Sequence, residues 1–356
     1  MEKPVLFENA DNPAPENATV HSIVTIDKVH LRVAFWQPTH NLTRDGEAIG
    51  TVCLFHGFSE YIEKYYEVIS ELRRRGFAVA IMDWRGHGMS KRFFKNRARG
   101  HVASYRHYQR DLGTFIEEFV KPNCPKPYYA LAHSMGGHNI FRSCANGHGT
   151  VFERVVLSAP MLHLSPSNLL GFHWFKGGKK KFSNKIVSQR PTRIISGLVR
   201  FIGLGWIFAS SGNHLNIPFE GNRLTSDKNR FERNQKLLSQ YPELGIGGPT
   251  MSWLNAGCRS MRKILRPSFI QKINVPILII AAGSDQVGWS AALERVGPYL
   301  CMGHQIVFLG AKHGILQERN ELRKQFRAAF DAYIPGSDPV RSTYKSEHHN
   351  QMDSQN

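Results

Sequence analysis

The stretch LAHSMGGH, residues 131–138, places Ser134 among small residues directly after the aromatic and apolar run PYYALA. That run predicts a buried strand, and the residues after Ser134 show the three- and four-residue apolar spacing of a helix. A serine at a strand-turn-helix junction is typical of a nucleophile elbow, although Ala132 stands where glycine is more usual. The alternative is a serine that only caps the helix. We predict that Ser134 is a nucleophile.

Neither histidine beside Ser134 is predicted to be its base. His133 is its neighbour in the strand and should project to the opposite side, while His138 lies one turn along the helix, away from the sheet edge. We interpret both as packing or surface residues. In parallel sheets, sites gather at the carboxyl ends of strands, so the base should follow a later strand.

Two later loops meet that requirement. Asp285 follows the strand-like run VPILIIAA, and His313 follows QIVFLG just before the last predicted helix. The order serine, aspartate, histidine matches that of the α/β hydrolases. In such a triad, His313 would accept the Ser134 proton and return it to the leaving alcohol, while Asp285 would orient the imidazole and stabilise its cation.

A serine nucleophile also needs hydrogen-bond donors for the oxyanion that it creates. The run TVCLFHGFSE, residues 51–60, places a glycine directly after an early strand, where the backbone can turn its amides toward the nucleophile. We predict that the amides of Phe58 and Met135 form this oxyanion hole. The alternative is an ordinary glycine turn after a strand.

Strand-like and helical patterns alternate along much of the chain. The strand-like runs are HSIVTIDKVHLRVAFW, TVCLFH, FAVAIMD, PYYALAH, ERVVLSA, VPILIIAA and QIVFLG. The helical patterns are YIEKYYEVISELRRR, YRHYQRDLGTFIEEFV, MGGHNIFRSCAN and LQERNELRKQFRAAFDAYI. This alternation predicts an α/β fold with a mostly parallel central sheet and helices on both faces.

The alternation stops between SAP at 158–160 and NVPILII at 274–280, where strand patterns are missing for more than a hundred residues. We predict an inserted, mainly helical lid. The predicted organisation is an N-terminal extension at 1–19, the first part of the core at 20–160, the lid at 161–270, the second part of the core at 271–335 and a disordered tail at 336–356.

Composition sets limits on the class of protein. Hydrophobic residues make up 41% and charged residues 21% of the 356 residues, which is ordinary for a globular chain. The five cysteines form no CxxC pair and are odd in number, so neither a disulfide framework nor a zinc cluster is indicated. We expect a reducing compartment and predict no cofactor or metal site.

The sequence carries no pattern typical of secretion or of a membrane span. The first residues, MEKPVLFENADNPAPEN, have acids and prolines where a signal peptide has an apolar core. The apolar stretch at 194–208 is too short for a bilayer and contains Arg200. We therefore expect a cytoplasmic chain.

The excess of basic residues lies mainly in the predicted lid. Residues 160–268 contain 17 Lys and Arg against 4 Asp and Glu, in a chain whose net charge is +18. Lysines stand beside aromatic residues at Phe172, Trp174, Phe175, Lys176, Lys179, Lys180, Lys181, Phe182 and Lys185. This pattern favours peripheral binding to an anionic membrane surface, on the inner face of the membrane. The alternative is a soluble lid whose apolar residues cover an acyl pocket. No nucleic-acid module accompanies the charge, so we expect no specific nucleic-acid partner.

Six motifs together carry a family resemblance. HGFSEY, DWRGHGMS, GHVASYRHYQRDL, LAHSMGG, GSDQV and AKHGIL resemble the monoacylglycerol lipase and bacterial lysophospholipase branch of the α/β hydrolases. The resemblance covers roughly residues 20–333. Two lid segments, LTSDKNRFERNQKLL and GGPTMSWLNAG, are similar to bacterial lysophospholipases in particular.

The resemblance implies a serine hydrolase of lysophospholipids or monoacylglycerols, with lipid esters as substrates. It implies triad roles for Ser134, Asp285 and His313, and oxyanion roles for Phe58 and Met135. It also implies a structural role for the loop that Asp83, Arg85, Gly86, His87 and Gly88 form. The segment FHWFKGGKKKF, residues 172–182, has no counterpart. Two alternatives stay open: a hydrolase of another bond, such as a short-chain carboxylesterase or aminopeptidase, and a catalytically silent binding module, which should lack a triad member.

Overall fold

The computed structural model describes residues 4–39, 48–164, 189–209, 218–288 and 290–337. Within these residues, eight strands pair into one sheet. They are β1 Thr19–Val24, β2 His30–Trp36, β3 Thr51–Phe55, β4 Ala78–Met82, β5 Tyr128–His133, β6 Arg154–Ser158, β7 Ile277–Ala282 and β8 Gly303–Phe308. Their order in the sheet is β1-β2-β4-β3-β5-β6-β7-β8. The first two strands run antiparallel to their neighbours, and all other pairs are parallel. The predicted mostly parallel sheet is confirmed.

Helices connect most of the strands. They are α1 Tyr66–Arg74, α2 Tyr105–Thr114, α3 Lys121–Asn123, α4 Ser134–Cys144, α5 Arg190–Phe201, α6 Lys228–Gln240, α7 Met251–Ile264, α8 Pro267–Ile270, α9 Ala291–Glu294 and α10 Asn320–Tyr333. A π-helix, Phe115–Val120, continues α2 into α3. None of the helices in the described residues combines the length and the apolar character that crossing a bilayer requires.

Apolar residues cover both faces of the sheet because its central strands, β3 to β7, are apolar at nearly every position. In β4, Ala80 and Met82 join the buried cluster beneath α2, α4 and α7, whereas Val79 and Ile81 join the cluster beneath α1 and α10. Successive strand residues point to opposite faces, so a continuous apolar run supplies both clusters. The sheet is thus held between two helical layers, and the carboxyl ends of its parallel strands meet at one edge.

Residues 161–270 form the insertion between β6 and β7. Its described residues contain α5, α6, α7 and α8 and no strand beyond single bridges. Helix α7 packs on the core, because Trp253, Leu254 and Met261 belong to the buried cluster above the sheet. That the insertion serves as a lid stays a prediction. The lysine-rich stretch at 176–185 with its aromatic neighbours lies outside the described residues, and so does all of the predicted tail, 336–356, except its first two residues.

Candidate active site

The backbone at Ser134 has the shape of a nucleophile elbow. Ser134 follows β5, opens α4 and has a φ angle of +51°, a left-handed conformation that residues other than glycine rarely adopt. The small residues around it are required by close packing. A Cβ atom at Gly136 would lie 2.3 Å from the Phe55 carbonyl oxygen, and one at Gly137 would lie 2.9 Å from Pro160 Cβ. The strained turn therefore presents Ser134 at the carboxyl end of a central strand.

Hydrogen bonds join Ser134, His313 and Asp285 into one chain. His313 Nε2 lies 2.8 Å from Ser134 Oγ, and His313 Nδ1 lies 2.8 Å from Asp285 Oδ2. Asp285 follows β7, and His313 follows β8, so the three side chains come from three strand ends at the same edge of the sheet. The structure brings together the three residues that the sequence predicted as a triad.

The electrostatics of Asp285 favour its ionised form. Burial alone would raise the pKa of this carboxyl, but His313 and the amides of Val287 and Gly288 lower it, and the net pKa lies below 3.8. Both amides donate to Asp285 Oδ1, at 2.8 and 2.9 Å. An ionised Asp285 accepts a hydrogen bond from His313 Nδ1–H, and the unprotonated Nε2 can then accept the proton of Ser134.

The two predicted oxyanion donors lie on segments that adjoin Ser134. Met135 is the second residue of α4, and amides in the first turn of a helix have no acceptor within that helix. The loop after β3 approaches from the other side, since a Cβ atom at Gly57 would lie 3.1 Å from Ser134 Cβ. Phe58 is the next residue in this loop. Oxyanion binding by Phe58 and Met135 stays a prediction.

The histidine that precedes Ser134 lies closer to the site than we predicted. His133 Nδ1 donates a hydrogen bond of 3.0 Å to Ser158 O, and its ring centroid is 5.0 Å from that of His313. The expectation that it projects away from the site is wrong, because the turn at Ser134 breaks the alternation of the strand. Burial is the main cause that lowers the pKa of His133 to about 4, so its neutral ring adds no charge beside His313.

The other flanking histidine is buried rather than exposed. His138 Nδ1 lies 2.9 Å from Met161 O, and its Nε2 lies 2.8 Å from Ser260 Oγ. Of the two interpretations given for this residue, packing holds for His138, because α7 covers this part of α4 and brings Ser260 onto the ring. Burial lowers the pKa of His138 to about 3. Neither flanking histidine hydrogen-bonds to Ser134 in the described structure.

Glu60 is a part of the site that sequence reasoning missed. Its buried carboxylate accepts the Gly57 amide at 2.6 Å, the Tyr65 hydroxyl at 2.7 Å and the Lys64 ammonium at 2.6 Å. Burial would raise the pKa of Glu60, but Lys64, His133 and Tyr65 outweigh it and the net pKa lies below 4.5. The signal was an acidic residue inside the predicted oxyanion loop, HGFSEY, where a purely structural turn needs no charge.

The loop DWRGHG, residues 83–88, is held in place by hydrogen bonds and close packing around Asp83. Asp83 accepts the amides of Ile62 and Met89 and pairs with buried Arg32, and a Cβ atom at Gly88 would overlap its carboxylate at 2.1 Å. These bonds run to backbone and to a buried guanidinium. They agree with the structural role that the sequence implied for this loop.

Residues 46–320 match the model of the family described as serine aminopeptidase, S33. The chain belongs to this family. This S33-family chain is 27% identical over 285 residues to the probable lysophospholipase L2 of Haemophilus influenzae, covering 79% of the chain and 82% of the relative. It is also 27% identical over 315 residues to lysophospholipase L2 of Escherichia coli K12, covering 84% of the chain and 82% of the relative.

A solved structure shares the fold of this S33-family chain. A soluble variant of monoglyceride lipase from Saccharomyces cerevisiae, in complex with a substrate analogue, superposes with a TM-score of 0.68 at 18% identity. The match covers 94% of this chain and 100% of that one. The predicted α/β-hydrolase fold is confirmed, and so is the resemblance to the lysophospholipase and monoacylglycerol lipase branch.

Proposed function

We propose that this chain is a serine hydrolase that cleaves the acyl ester of lysophospholipids or monoacylglycerols through an acyl-enzyme intermediate. The observation that carries the proposal is the hydrogen-bonded chain from Ser134 through His313 to Asp285 at a left-handed elbow. The substrate class is supported by two relatives named as lysophospholipases, each aligned over most of its length. Monoacylglycerols are included as substrates because the motifs around the site resemble those of monoacylglycerol lipases.

The geometry supports a two-step acyl transfer. As Ser134 Oγ attacks the ester carbonyl carbon, His313 Nε2 takes the hydroxyl proton, and the carbonyl oxygen becomes an oxyanion that the Phe58 and Met135 amides bind. The ester C–O bond then breaks, and His313 gives the proton to the departing glycerol oxygen. Water attacks the acyl-enzyme with His313 as base, which releases the fatty acid and restores Ser134. Each oxyanion donor contributes about 3 to 4 kcal/mol to such a reaction.

A substrate panel tests this proposal and separates it from its alternative. The alternative is a short-chain carboxylesterase or aminopeptidase, and the description of the family names the second activity. We expect hydrolysis of lysophosphatidylethanolamine, lysophosphatidylcholine or monoolein to exceed that of a soluble butyrate ester, and no cleavage of an amino-acid anilide. A fluorophosphonate should label the wild-type chain and leave Ser134→Ala unlabelled. A preference for butyrate or for the anilide would contradict the lipid assignment.

We also propose that the insertion docks on an anionic lipid bilayer. Helix α5 turns an apolar face to solvent, where Ile194, Leu198, Phe201 and Ile202 are 53%, 61%, 88% and 66% exposed. The segments 189–209 and 244–284 contain no acidic residue. Their basic residues are Arg190, Arg193, Arg200, Arg259, Arg262, Lys263, Arg266 and Lys272.

Charge and exposed apolar area together favour a bilayer as the partner. Basic groups lie close together around Lys263. Desolvation lowers the pKa of Lys263, and the charges of its neighbours Arg142, Arg106, Lys272 and Arg266 lower it further. Apolar side chains that enter the head-group boundary beside cations facing anionic lipid are typical of interfacial helices. Such docking would bring lipid substrate to the enzyme, whereas a soluble cover for the acyl pocket would need no basic surroundings.

A further inference from the structure

The aromatic ring of Phe58 is held on several sides. Its centroid lies 4.5 Å from the ring of Trp253 in α7 and 5.4 Å from the ring of His87. On another side, a Cβ atom placed on Gly100 would lie only 2.3 Å from Phe58 Cζ. These three neighbours therefore restrict the position of the Phe58 ring.

The next residue of the same loop is strained and held by the insertion. Ser59 has a φ angle of +63°, which is unfavourable for a residue other than glycine. Its Oγ donates a hydrogen bond of 2.8 Å to the carbonyl oxygen of Ile246. Strained conformations persist where the surroundings hold them in place, and they occur often at functional sites.

The residues that hold Phe58 are themselves anchored. Trp253 is 3% exposed, and its indole N–H donates to the Tyr108 hydroxyl at 3.2 Å. The Gly100 amide donates to Gly248 O at 3.1 Å, and the Thr250 amide donates to Gly100 O at 2.9 Å. The loop around Gly100 and the start of α7 thus form one hydrogen-bonded wall against the ring.

Building on the proposed ester hydrolysis, we propose that Trp253 is a positioning residue for the oxyanion hole. Trp253 holds the Phe58 ring and so sets the direction of the Phe58 amide, while Glu60 fixes the preceding amide, that of Gly57. An oxyanion donor acts only within about 2.7 to 3.1 Å of the charge that develops. The insertion therefore contributes to the catalytic step itself, in addition to any contact with the acyl chain.

The kinetic consequence is a change in kcat with little change in KM. We expect Trp253→Ala to lower kcat for a soluble butyrate ester by about 10- to 100-fold, since small displacements of catalytic groups have effects of that size. KM should change less than about twofold because this small substrate needs few binding contacts. Trp253→Phe keeps a ring against Phe58 and should restore most of the activity.

A matched control lies in the same insertion. Trp206 is 43% exposed and packs over the guanidinium of Arg99, 4.7 Å from its ring, rather than on Phe58. Trp206→Ala also removes an indole, but it should leave kcat for the butyrate ester unchanged. An equal loss in both variants would show that any damage to the insertion lowers activity, and it would overturn the proposal.

A second test acts on the ring from the opposite side. Gly100→Ala should push Phe58 away and lower kcat, whereas in a Phe58→Ala background the same change should have no further effect, because no ring is left to move. An equal effect in both backgrounds would overturn the proposal. This test does not depend on whether Trp253→Ala folds.

An inhibitor assay separates positioning from loss of structure. The affinity for a trifluoromethyl ketone, whose adduct with serine carries an oxyanion, should fall in proportion to kcat/KM across these variants. Unchanged affinity alongside reduced kcat would contradict the assignment. Failure of the proposed function is recognised separately, because a fluorophosphonate would then fail to label the wild-type chain.

Discussion

Backbone strain in this molecule collects around the nucleophile. Three of the five non-glycine residues with positive φ angles in the described part of the chain are Ser59, Ser134 and Ala159. Ser59 lies in the oxyanion loop, and Ala159 follows β6 next to Pro160, whose ring limits the space at Gly137. Each such residue costs about 1 to 3 kcal/mol, so contacts elsewhere must hold it. The site is therefore organised by the whole core before substrate binds.

The first residue-scale prediction concerns the triad. Ser134→Ala should abolish ester turnover while leaving the thermal unfolding midpoint nearly unchanged, because the alanine fills the same space and loses one hydrogen bond. His313→Ala should be nearly as damaging, since members of a triad act as one unit. Steady-state kinetics with a butyrate ester and thermal unfolding check both points. A double variant far slower than either single variant would point to independent roles.

A second prediction concerns Glu60. Glu60→Gln removes the charged acceptor of the Gly57 amide. Hydrogen bonds to charged groups contribute about 1.5 to 3 kcal/mol, so we expect kcat/KM to fall about tenfold or more. Because folding holds the pKa of Glu60 below 4.5, its charge persists above that pH, and the defect should be constant from pH 6 to pH 9. The pH profile of kcat/KM measures this. Glu232→Gln removes an exposed carboxylate on α6, away from this loop, and serves as the control; an equal loss there would argue against the loop contact.

The residue scale shows what sequence could and could not predict. Ser134, Asp285 and His313 were predictable because each follows a strand of a parallel sheet, and strand ends converge at one edge. The place of His133 was not predictable, since strand alternation fails at a left-handed turn. Glu60 was missed because its partners include Tyr65 and His133, which pattern reasoning treats as packing residues.

At the scale of elements, the insertion is hydrogen-bonded to the loop that carries His313, the proposed general base. Lys312 Nζ donates to Asn222 O at 3.0 Å and to Thr225 O at 3.2 Å, and the Gly314 amide donates to Leu224 O at 2.7 Å. These bonds lie on both sides of His313. The segment before α6 is therefore tied by three hydrogen bonds to the loop that carries His313.

One carboxylate joins three helices. Glu67 of α1 accepts from Arg230 and Arg233 of α6 and from Arg323 of α10. Burial would raise the pKa of Glu67, but the three guanidinium groups lower it to about 2. Removing the charge would leave three neighbouring cations with fewer counterions, since Arg230 would keep only Asp227 and Arg323 would keep only Glu71 among the described ion pairs.

We predict that Glu67→Gln lowers the free energy of unfolding by about 1 to 2 kcal/mol. The expected loss is modest because the Glu67 side chain is 25% exposed, and solvent screens its interactions with the arginines. Its folded-state pKa is depressed, so its contribution is complete above pH 4.5 and is lost as the pH falls toward 2. Urea unfolding at several pH values should show the difference from wild type shrinking in that window. Glu232→Gln, which removes an exposed partner of Lys228, is the control and should have no effect.

Element patterns were predictable where periodicity is strong, and their details were not. The run at 21–36 forms the two strands β1 and β2, because the chain turns back where the Thr25 amide donates to Val29 O. The helical pattern at 105–120 is an α-helix only to Thr114 and then a π-helix. Apolar spacing indicates the buried face of a helix, but it does not determine which carbonyl oxygen accepts the hydrogen bond of each amide.

At the scale of the whole molecule, charge is distributed unevenly. Residues 160–268 hold 17 basic and 4 acidic residues of a chain with net charge +18, and the four acids all lie between 220 and 243. Outside 220–243 the insertion therefore has no acidic residue, and its basic residues lie at 176–200 and 259–266. Its exposed apolar helix α5 lies within this basic part.

The last prediction is that binding of the chain to vesicles depends on both charge and α5. Co-sedimentation should be strong with anionic vesicles and weak with neutral ones, and it should be lost as salt is raised, since exposed charges are screened beyond about 10 Å at 0.1 M salt. Each surface cation contributes about 1 kcal/mol near such a membrane, so several together produce a steep salt dependence. Replacing the five lysines between 176 and 185 by glutamine should weaken vesicle binding and spare hydrolysis of a soluble butyrate ester.

The apolar contribution of α5 is tested by replacing Leu198 and Phe201 with serine, which should weaken binding to anionic vesicles and leave butyrate hydrolysis unchanged. Leu309 offers a matched control, because it is 83% exposed but follows β8 at the edge of the sheet, outside the insertion. Leu309→Ser should bind vesicles like the wild type if docking is specific to α5. Equal binding to neutral and anionic vesicles, unaffected by the lysine and α5 changes, would contradict docking, and the insertion would then serve as a cover for the acyl pocket.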